Sequence, residues 1–417
     1  MRFAWTMMLF LAALLACFTV VACSDGDDDN DNDDSDDDDD TNDNDDDDSS
    51  GDDDDDDDVN PFLDPTDPGP YPAGNTTFFF EDASRELSCG DGNRILMTEV
   101  WYPAADDADQ LPENHVEDFF MGRLNEVEQA LRDAGFDPEG EMLNLPTGSY
   151  RDAPLNPDAP PMPVLIFSHG FSSNRFQNYT MSAYLATHGY MVVSADHTCN
   201  AKVTLTPDGV VLFDPLNVPF TLPERKQDVS FLLDVITQQT PEMFAGRVDP
   251  AHIGFWGHSF GGITTSEQIK IDGRVTALAQ LASFGVPDFT EPPAAHSIYF
   301  WGKQDKWMHP FEQFHDQYID LMPTPKYELE FYDTGHFAFS DLCEFIPRLA
   351  ETANGCITET RIDSPEEFTN PDHDVMHAVL NAYTTAFFGE AFFDLQELKD
   401  YLAVNQNPDM MEYFPEP

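Results

Sequence analysis

The sequence predicts an α/β fold, a mostly parallel central sheet with helices on both faces. Three observations predict it. Continuous apolar runs bounded by Gly, Pro and Asp recur along the chain, as expected of strands buried on both faces. Stretches with apolar residues at helical spacing separate them, and that alternation marks a parallel sheet. One run, at 252–256, leads into Gly257-His258-Ser259-Phe260-Gly261, a G-x-S-x-G sequence with a helix-compatible stretch after it.

The chain opens outside the fold. Met1-Arg2 is positive, and residues 3–22 are apolar with small residues near the end, the grammar of an export signal. Val20-Val21-Ala22-Cys23 resembles a bacterial lipobox, which implies a lipid anchor on Cys23. Cys17 is a rival, but more apolar residues follow it. Ser24 after Cys23 resembles lipoproteins sent to the outer membrane, so the expected location is the bacterial cell envelope, at the outer membrane or cell surface. Residues 23–74 read as a tether. The block 25–58 holds 24 Asp and no base, so its charges repel and it has nothing apolar to bury. It lacks the Gly-spaced ligand pattern of an EF-hand calcium loop. Removing it takes the formal charge from −61 to −37. So acidic a chain argues against nucleic acid or an anionic membrane as an electrostatic partner.

The folded part is expected over 75–390, as one catalytic domain. Residues 77–82 and 94–102 form a hairpin around the turn at 89–93. Residues 106–160 are polar, with a helix near 117–134, and read as an insertion. That helix carries Phe119, Phe120, Leu124 and Val127 on one face, which suits a partial lid over a substrate site. A buried strand at 163–168, a helix at 177–188 and a strand at 190–195 come next. The helix at 224–238 has Val229, Leu232, Leu233 and Ile236 at helical spacing. Later strands are expected at 275–281, 297–301 and 327–332, and a closing helix at 376–388. Residues 391–417 read as a tail. Four cysteines remain, an even number suited to two disulfides in an exported protein. Three pairings are open. Cys343 with Cys356 needs only a short loop, and Cys89 with Cys199 is then the other.

These residues resemble the α/β-hydrolase fold. In that fold a serine on a sharp strand-to-helix turn is followed along the chain by an acid and then a histidine. The resemblance implies Ser259 as nucleophile, Asp305 (after strand 297–301 and Gly302) as the acid, and His336 (in Thr334-Gly335-His336-Phe337) as the base. The chemistry agrees. A serine hydroxyl is a weak nucleophile unless a base takes its proton, and imidazole can take and return one near neutral pH. A carboxylate fixes the imidazole tautomer. Asp288, after the preceding strand, is the rival acid. The loop Ser168-His169-Gly170-Phe171 implies oxyanion donors at the backbone amides of Phe171 and Phe260. The other histidines lack zinc spacing, and His373 and His377, four apart, read as helix surface without a third ligand, so neither metal nor cofactor is expected.

Within that fold the chain resembles platelet-activating-factor acetylhydrolases, dienelactone hydrolase-like proteins and bacterial cutinase-like esterases. The carrying residues are Glu99-Val100-Trp101-Tyr102-Pro103, Phe167-Ser168-His169-Gly170, Gly257 to Gly262 and Thr324-Pro325-Lys326-Tyr327-Glu328-Leu329. A dienelactone hydrolase has a Cys nucleophile, and this chain has Ser259. Residues 106–160 and 341–370 are additions to a minimal cutinase, expected to cover the groove those enzymes use for polymers. The resemblance implies a serine carboxylester hydrolase acting on short- to medium-chain acyl esters. Phospholipid and polyester hydrolysis are its alternatives, and a catalytically silent surface binding protein on the same fold is the rival from another class.

Overall fold

The computed structural model describes residues 64–135, 142–288 and 292–417. The apolar leader, Cys23 and the Asp-rich block lie outside the described residues. The chain runs β1 (Ala73–Glu86), β2 (Asn93–Pro103), β3 (Glu113–His115), α1 (Leu124–Asp133), β4 (Pro146–Arg151), β5 (Met162–Ser168), α2 (Tyr179–Thr187) and β6 (Met191–Ala195). A small hairpin, β7 (Val203–Thr206) and β8 (Gly209–Leu212), precedes α3 (Thr221–Gln238), β9 (Val248–His258), α4 (Phe260–Ile269), β10 (Ala277–Leu281) and β11 (His296–Gly302). Then come α5 (Glu312–Leu321), β12 (Lys326–Phe331), α6 (Leu342–Phe345), α7 (Pro347–Thr352), β13 (Thr358–Thr360), β14 (Glu367–Thr369), α8 (His373–Phe393), α9 (Gln396–Leu402) and β15 (Met411–Glu416).

Among the described residues, eleven strands form one sheet in the order β15-β12-β11-β10-β9-β5-β6-β2-β1-β4-β3. The six strands from β12 to β6 run parallel. Strands β2 and β15 join the two sides of that block antiparallel. Alternation along β5 explains why its run is wholly apolar. Leu165 and Phe167 enter one core with residues of α2 and α8, while Val164 and Ile166 enter a second with Val229 and Leu233 of α3. Among the described residues no helix is long and apolar enough to cross a membrane.

Two expectations need correction. Residues 391–417 are not a tail: α9 buries Leu398 and Leu402, and β15 pairs with β12 from Lys326↔Glu416 to Phe331↔Met411. The insertion is not set over a site by its apolar face. Phe119, Phe120 and Val127 belong to the main core, with Phe119 stacked 4.6 Å from Phe176 and tilted against Trp101. Its strand β4 extends the sheet beside β1, and Arg123 donates to the Thr206 carbonyl, tying α1 to the β7–β8 hairpin.

Candidate active site

Strand β9 ends in a turn that only small neighbours permit. Ser259 sits at φ 55°, ψ −122°, an uncommon conformation for a residue with a side chain. A Cβ on Gly261 would fall 1.7 Å from the Ser168 carbonyl oxygen, and one on Gly257 would fall 2.5 Å from the Gly261 carbonyl carbon. Both glycines are therefore required by close approach. The Ser259 amide donates to the Leu281 carbonyl at 2.9 Å, and Ser283 Oγ donates to the Ser259 carbonyl at 2.7 Å. The strained turn is thus held from β10 and from the loop after it.

Phe260 opens α4, where the dipole and first-turn amides favour negative charge. Its ring meets Phe171 edge-on at 5.8 Å, so the two expected oxyanion amides belong to neighbouring turns. The loop carrying Phe171 is fixed from both sides. The Gly170 amide donates to Gln177 Oε1 at 2.7 Å, and its carbonyl accepts from Arg225 at 3.0 Å. The Arg225 guanidinium also lies 4.9 Å from the centre of the Phe260 ring.

Asp305 and His336 follow β11 and β12 and meet there. His336 Nδ1 and Asp305 Oδ2 are 2.7 Å apart, and both residues are buried. Asp305 Oδ1 accepts from the amides of Trp307 and Met308, each at 2.9 Å, which fixes the carboxylate. A proton on Nδ1 shared with Asp305 leaves Nε2 as the acceptor that a general base needs. His258, next to Ser259 in the chain, has Nε2 3.0 Å from the His336 carbonyl, so the serine turn and the histidine loop are in contact. Asp288 lies elsewhere, paired with Lys270 at 2.6 Å.

Several residues that sequence reasoning passed over hold this arrangement. Trp307 stacks on the His336 ring, with centroids 5.5 Å apart and planes within 8°. Gln177 joins the oxyanion loop to His258 through a 2.6 Å contact with Nδ1. Asn354 links the acid and base loops. Its Oδ1 accepts from the amides of His336 and Lys306, and its Nδ2 donates to the Gln304 carbonyl, all at 3.0 Å. Asn354, within residues 341–370, therefore clamps the two loops. A disulfide, Cys343–Cys356, closes the segment that carries Asn354. A second, Cys89–Cys199, joins the β1–β2 turn to the loop after β6.

Behind the oxyanion loop lies another chain of the same residue types. Ser168 Oγ is 2.9 Å from His197 Nε2, and His197 Nδ1 is 2.9 Å from Asp228 Oδ2. Arg94 grips Asp228 with two bonds of 2.5 and 2.6 Å, and Arg85 adds a third at 2.9 Å. Burial pushes the Asp228 carboxyl up, but the charge and hydrogen bonds of Arg94 outweigh it and leave it well below the usual range. Burial, aided by the Arg225 charge, lowers His197 to about 4 against the pull of Asp228. His169 and His258 are likewise lowered well below the ordinary value, first by burial, then by Arg225 and His336 respectively. His377, expected on a helix surface, is buried, and it and His373 converge on Asp341.

Residues 63–206 match the family model of platelet-activating factor acetylhydrolase, isoform II. A probable 1-alkyl-2-acetylglycerophosphocholine esterase of Arthroderma benhamiae is 28% identical over 123 residues, which are 28% of this chain and 30% of that protein. The chain thus matches under a third of that relative's length. The solved ferulic acid esterase of Streptomyces cinnamoneus superposes with a TM-score of 0.56 at 24% identity, covering 78% of this chain and 92% of that one. The chain has an α/β fold similar to that of this esterase, and over residues 63–206 it is similar to the platelet-activating factor acetylhydrolase isoform II family.

Proposed function

We propose that the chain is a serine carboxylester hydrolase. Ser259 attacks the ester carbonyl while His336 takes its proton. Asp305 holds the imidazole and stabilises its charged form. The amides of Phe171 and Phe260 receive the oxyanion, and the leaving alcohol departs with the proton from His336. Water, deprotonated by His336, then frees the acyl group and restores Ser259. The single observation that carries this reading is the 2.7 Å bond between His336 Nδ1 and Asp305 Oδ2, set against a serine held at φ 55°. No cofactor enters the chemistry, and the substrate is a small-molecule or lipid ester. The reading extends to a lipid anchor on Cys23 that tethers the domain to the cell envelope.

Short to medium acyl chains are the preferred substrates. The support is aromatic. Phe171 stands edge-on to Phe213 at 5.3 Å as well as to Phe260, and Phe284 stacks on Phe311 at 5.4 Å beyond the end of β10. Rings of this kind suit a compact acyl group. The similar Arthroderma protein is named for an acetyl ester of a glycerophosphocholine, and the Streptomyces enzyme for ferulic acid. The test is kcat/KM for p-nitrophenyl esters from acetyl to palmitoyl, with a phospholipid and a polyester film alongside. A maximum at or below about eight carbons is expected, because each further CH₂ adds roughly 0.8 kcal/mol only where a pocket receives it. A rise continuing to palmitoyl, or fast release from the film, would overturn the chain-length reading. No turnover of any ester, and no phosphonate label on Ser259, would leave the silent binding protein.

A further inference from the structure

His373 and His377 stand one turn apart at the start of α8, with ring centroids 4.0 Å apart and planes 29° from parallel. Spacing of four puts both imidazoles on one helix face. The residue they meet comes from the chain just beyond His336. Asp341 is fully buried, and His373 Nε2 lies 3.1 Å and His377 Nδ1 3.3 Å from its Oδ1. The three ligand atoms all lie within 4.8 Å of one another. The same oxygen also accepts from Thr180 Oγ1 at 2.6 Å, while Oδ2 accepts from the Thr180 amide at 3.0 Å. Thr180 Oγ1 is in turn 2.7 Å from His377 Nδ1. Three segments, α2, the loop after the base and α8, thus send polar atoms to one buried point.

We propose that Asp341, His373 and His377 bind a divalent transition-metal cation, zinc being the best match. Two imidazole nitrogens and one carboxylate oxygen are a donor set that zinc takes, at about 2.0–2.2 Å per bond. Tetrahedral bonds of that length set ligand atoms roughly 3.3–3.6 Å apart, and the two separations to Asp341 Oδ1 are 3.1 and 3.3 Å. Thr180 supplies the outer hydrogen bonds that orient a ligating carboxylate. The fourth position falls to water or to Thr180 Oγ1. The cation displaces the protons that otherwise satisfy these atoms and ties α8 to α2 and to the segment following His336. It takes no part in ester cleavage. It acts as a fastener, so its loss loosens the fold before it slows chemistry.

The test uses the full chain in detergent, because the Asp-rich segment also attracts cations and must be present in every sample. Cobalt(II) is the first probe. A tetrahedral nitrogen-containing site gives intense visible absorption, whereas carboxylate-bound cobalt stays pale. One cobalt per chain with the intense spectrum is expected, displaced by one equivalent of zinc. Zinc should raise Tm by several degrees, and His373→Ala with His377→Ala should abolish both the spectrum and the shift. A pale spectrum in the wild type, or an intense one that survives the double substitution, overturns the proposal. Should that variant fail to fold, His373→Gln serves instead, and the wild-type spectrum decides by itself.

Discussion

Two groupings of Ser, His and Asp lie within one molecule, each with its histidine Nδ1 within 2.9 Å of its carboxylate, and they are set in different surroundings. In one, Ser259 stands on a turn at positive φ at the end of β9, and Asp305 is steadied by two backbone amides. In the other, Ser168 closes β5 in ordinary extended backbone, and Asp228 is gripped by two arginines. The second base is also disabled electrostatically, since burial and Arg225 lower His197 to about 4. Residue identity and bond length are therefore poor guides to chemistry. What separates a proposed nucleophile from a structural strut is backbone presentation and the charge around the base.

The comparison breaks most sharply at the serines. Ser259→Ala should lower kcat by about 10³-fold or more with the fold intact. Ser168→Ala should stay within about tenfold of wild-type turnover and lose roughly 1 kcal/mol of stability, the usual share of one hydrogen bond. Steady-state kinetics and urea titration read both, and equal kinetic effects would erase the distinction.

The acids come next. Asp305→Asn should cost on the order of 10³–10⁴-fold in kcat through the wrong His336 tautomer. Asp228→Asn leaves Arg94 buried without its carboxylate, so its cost should appear as about 3–5 kcal/mol of stability. A kinetic effect from Asp228→Asn at full stability would recast the second chain as functional.

The smallest effect lies in pH. His197 binds its proton near 4 in the fold and near 6.5 when unfolded. Between those values the unfolded chain holds the extra proton, so stability is full above about pH 6.5 and falls as pH drops toward 4. His169 and His258 act in the same direction. His197→Gln should remove one proton from that slope, about 1.4 kcal/mol per pH unit. An unchanged slope would show that His197 is not held neutral. Asp228 acts oppositely in origin. Its contribution is full above the ordinary carboxylate range and is lost progressively as pH falls through that range toward its lowered value.

The parallel heart of the sheet was legible because strands buried on both faces announce themselves as unbroken apolar runs. The meeting of Asp305 with His336 was legible from their order along those strands in the fold the chain resembles. What escaped notice depends on partners distant in sequence. Strand β15 carries Pro415 and alternates poorly, so only its pairing with β12 makes it a strand. The short β3, β4, β7 and β8 carry too few residues to show a period. The spacing of His373 and His377 revealed a shared helix face, but not that Asp341 packs against it. The insertion helix displayed its apolar stripe correctly and its destination not at all, since a stripe says that a face is buried without saying where.

Asn354 gives the molecule a chemical lifetime. Its neighbour is Gly355, and an amide followed by glycine is the arrangement most open to deamidation: the next backbone nitrogen attacks the side-chain carbon, ammonia leaves, and water opens the ring to a carboxylate. In the fold that nitrogen donates to Glu359 Oε1 at 2.8 Å, and both ends of the amide are engaged. Each excursion to the unfolded state releases them. A carboxylate at 354 has no hydrogen for the Gln304 carbonyl and faces Glu359 with like charge. Heating therefore leaves a permanent record in the chain at a residue that joins the acid and base loops, and recovery after each cycle falls with the time spent unfolded.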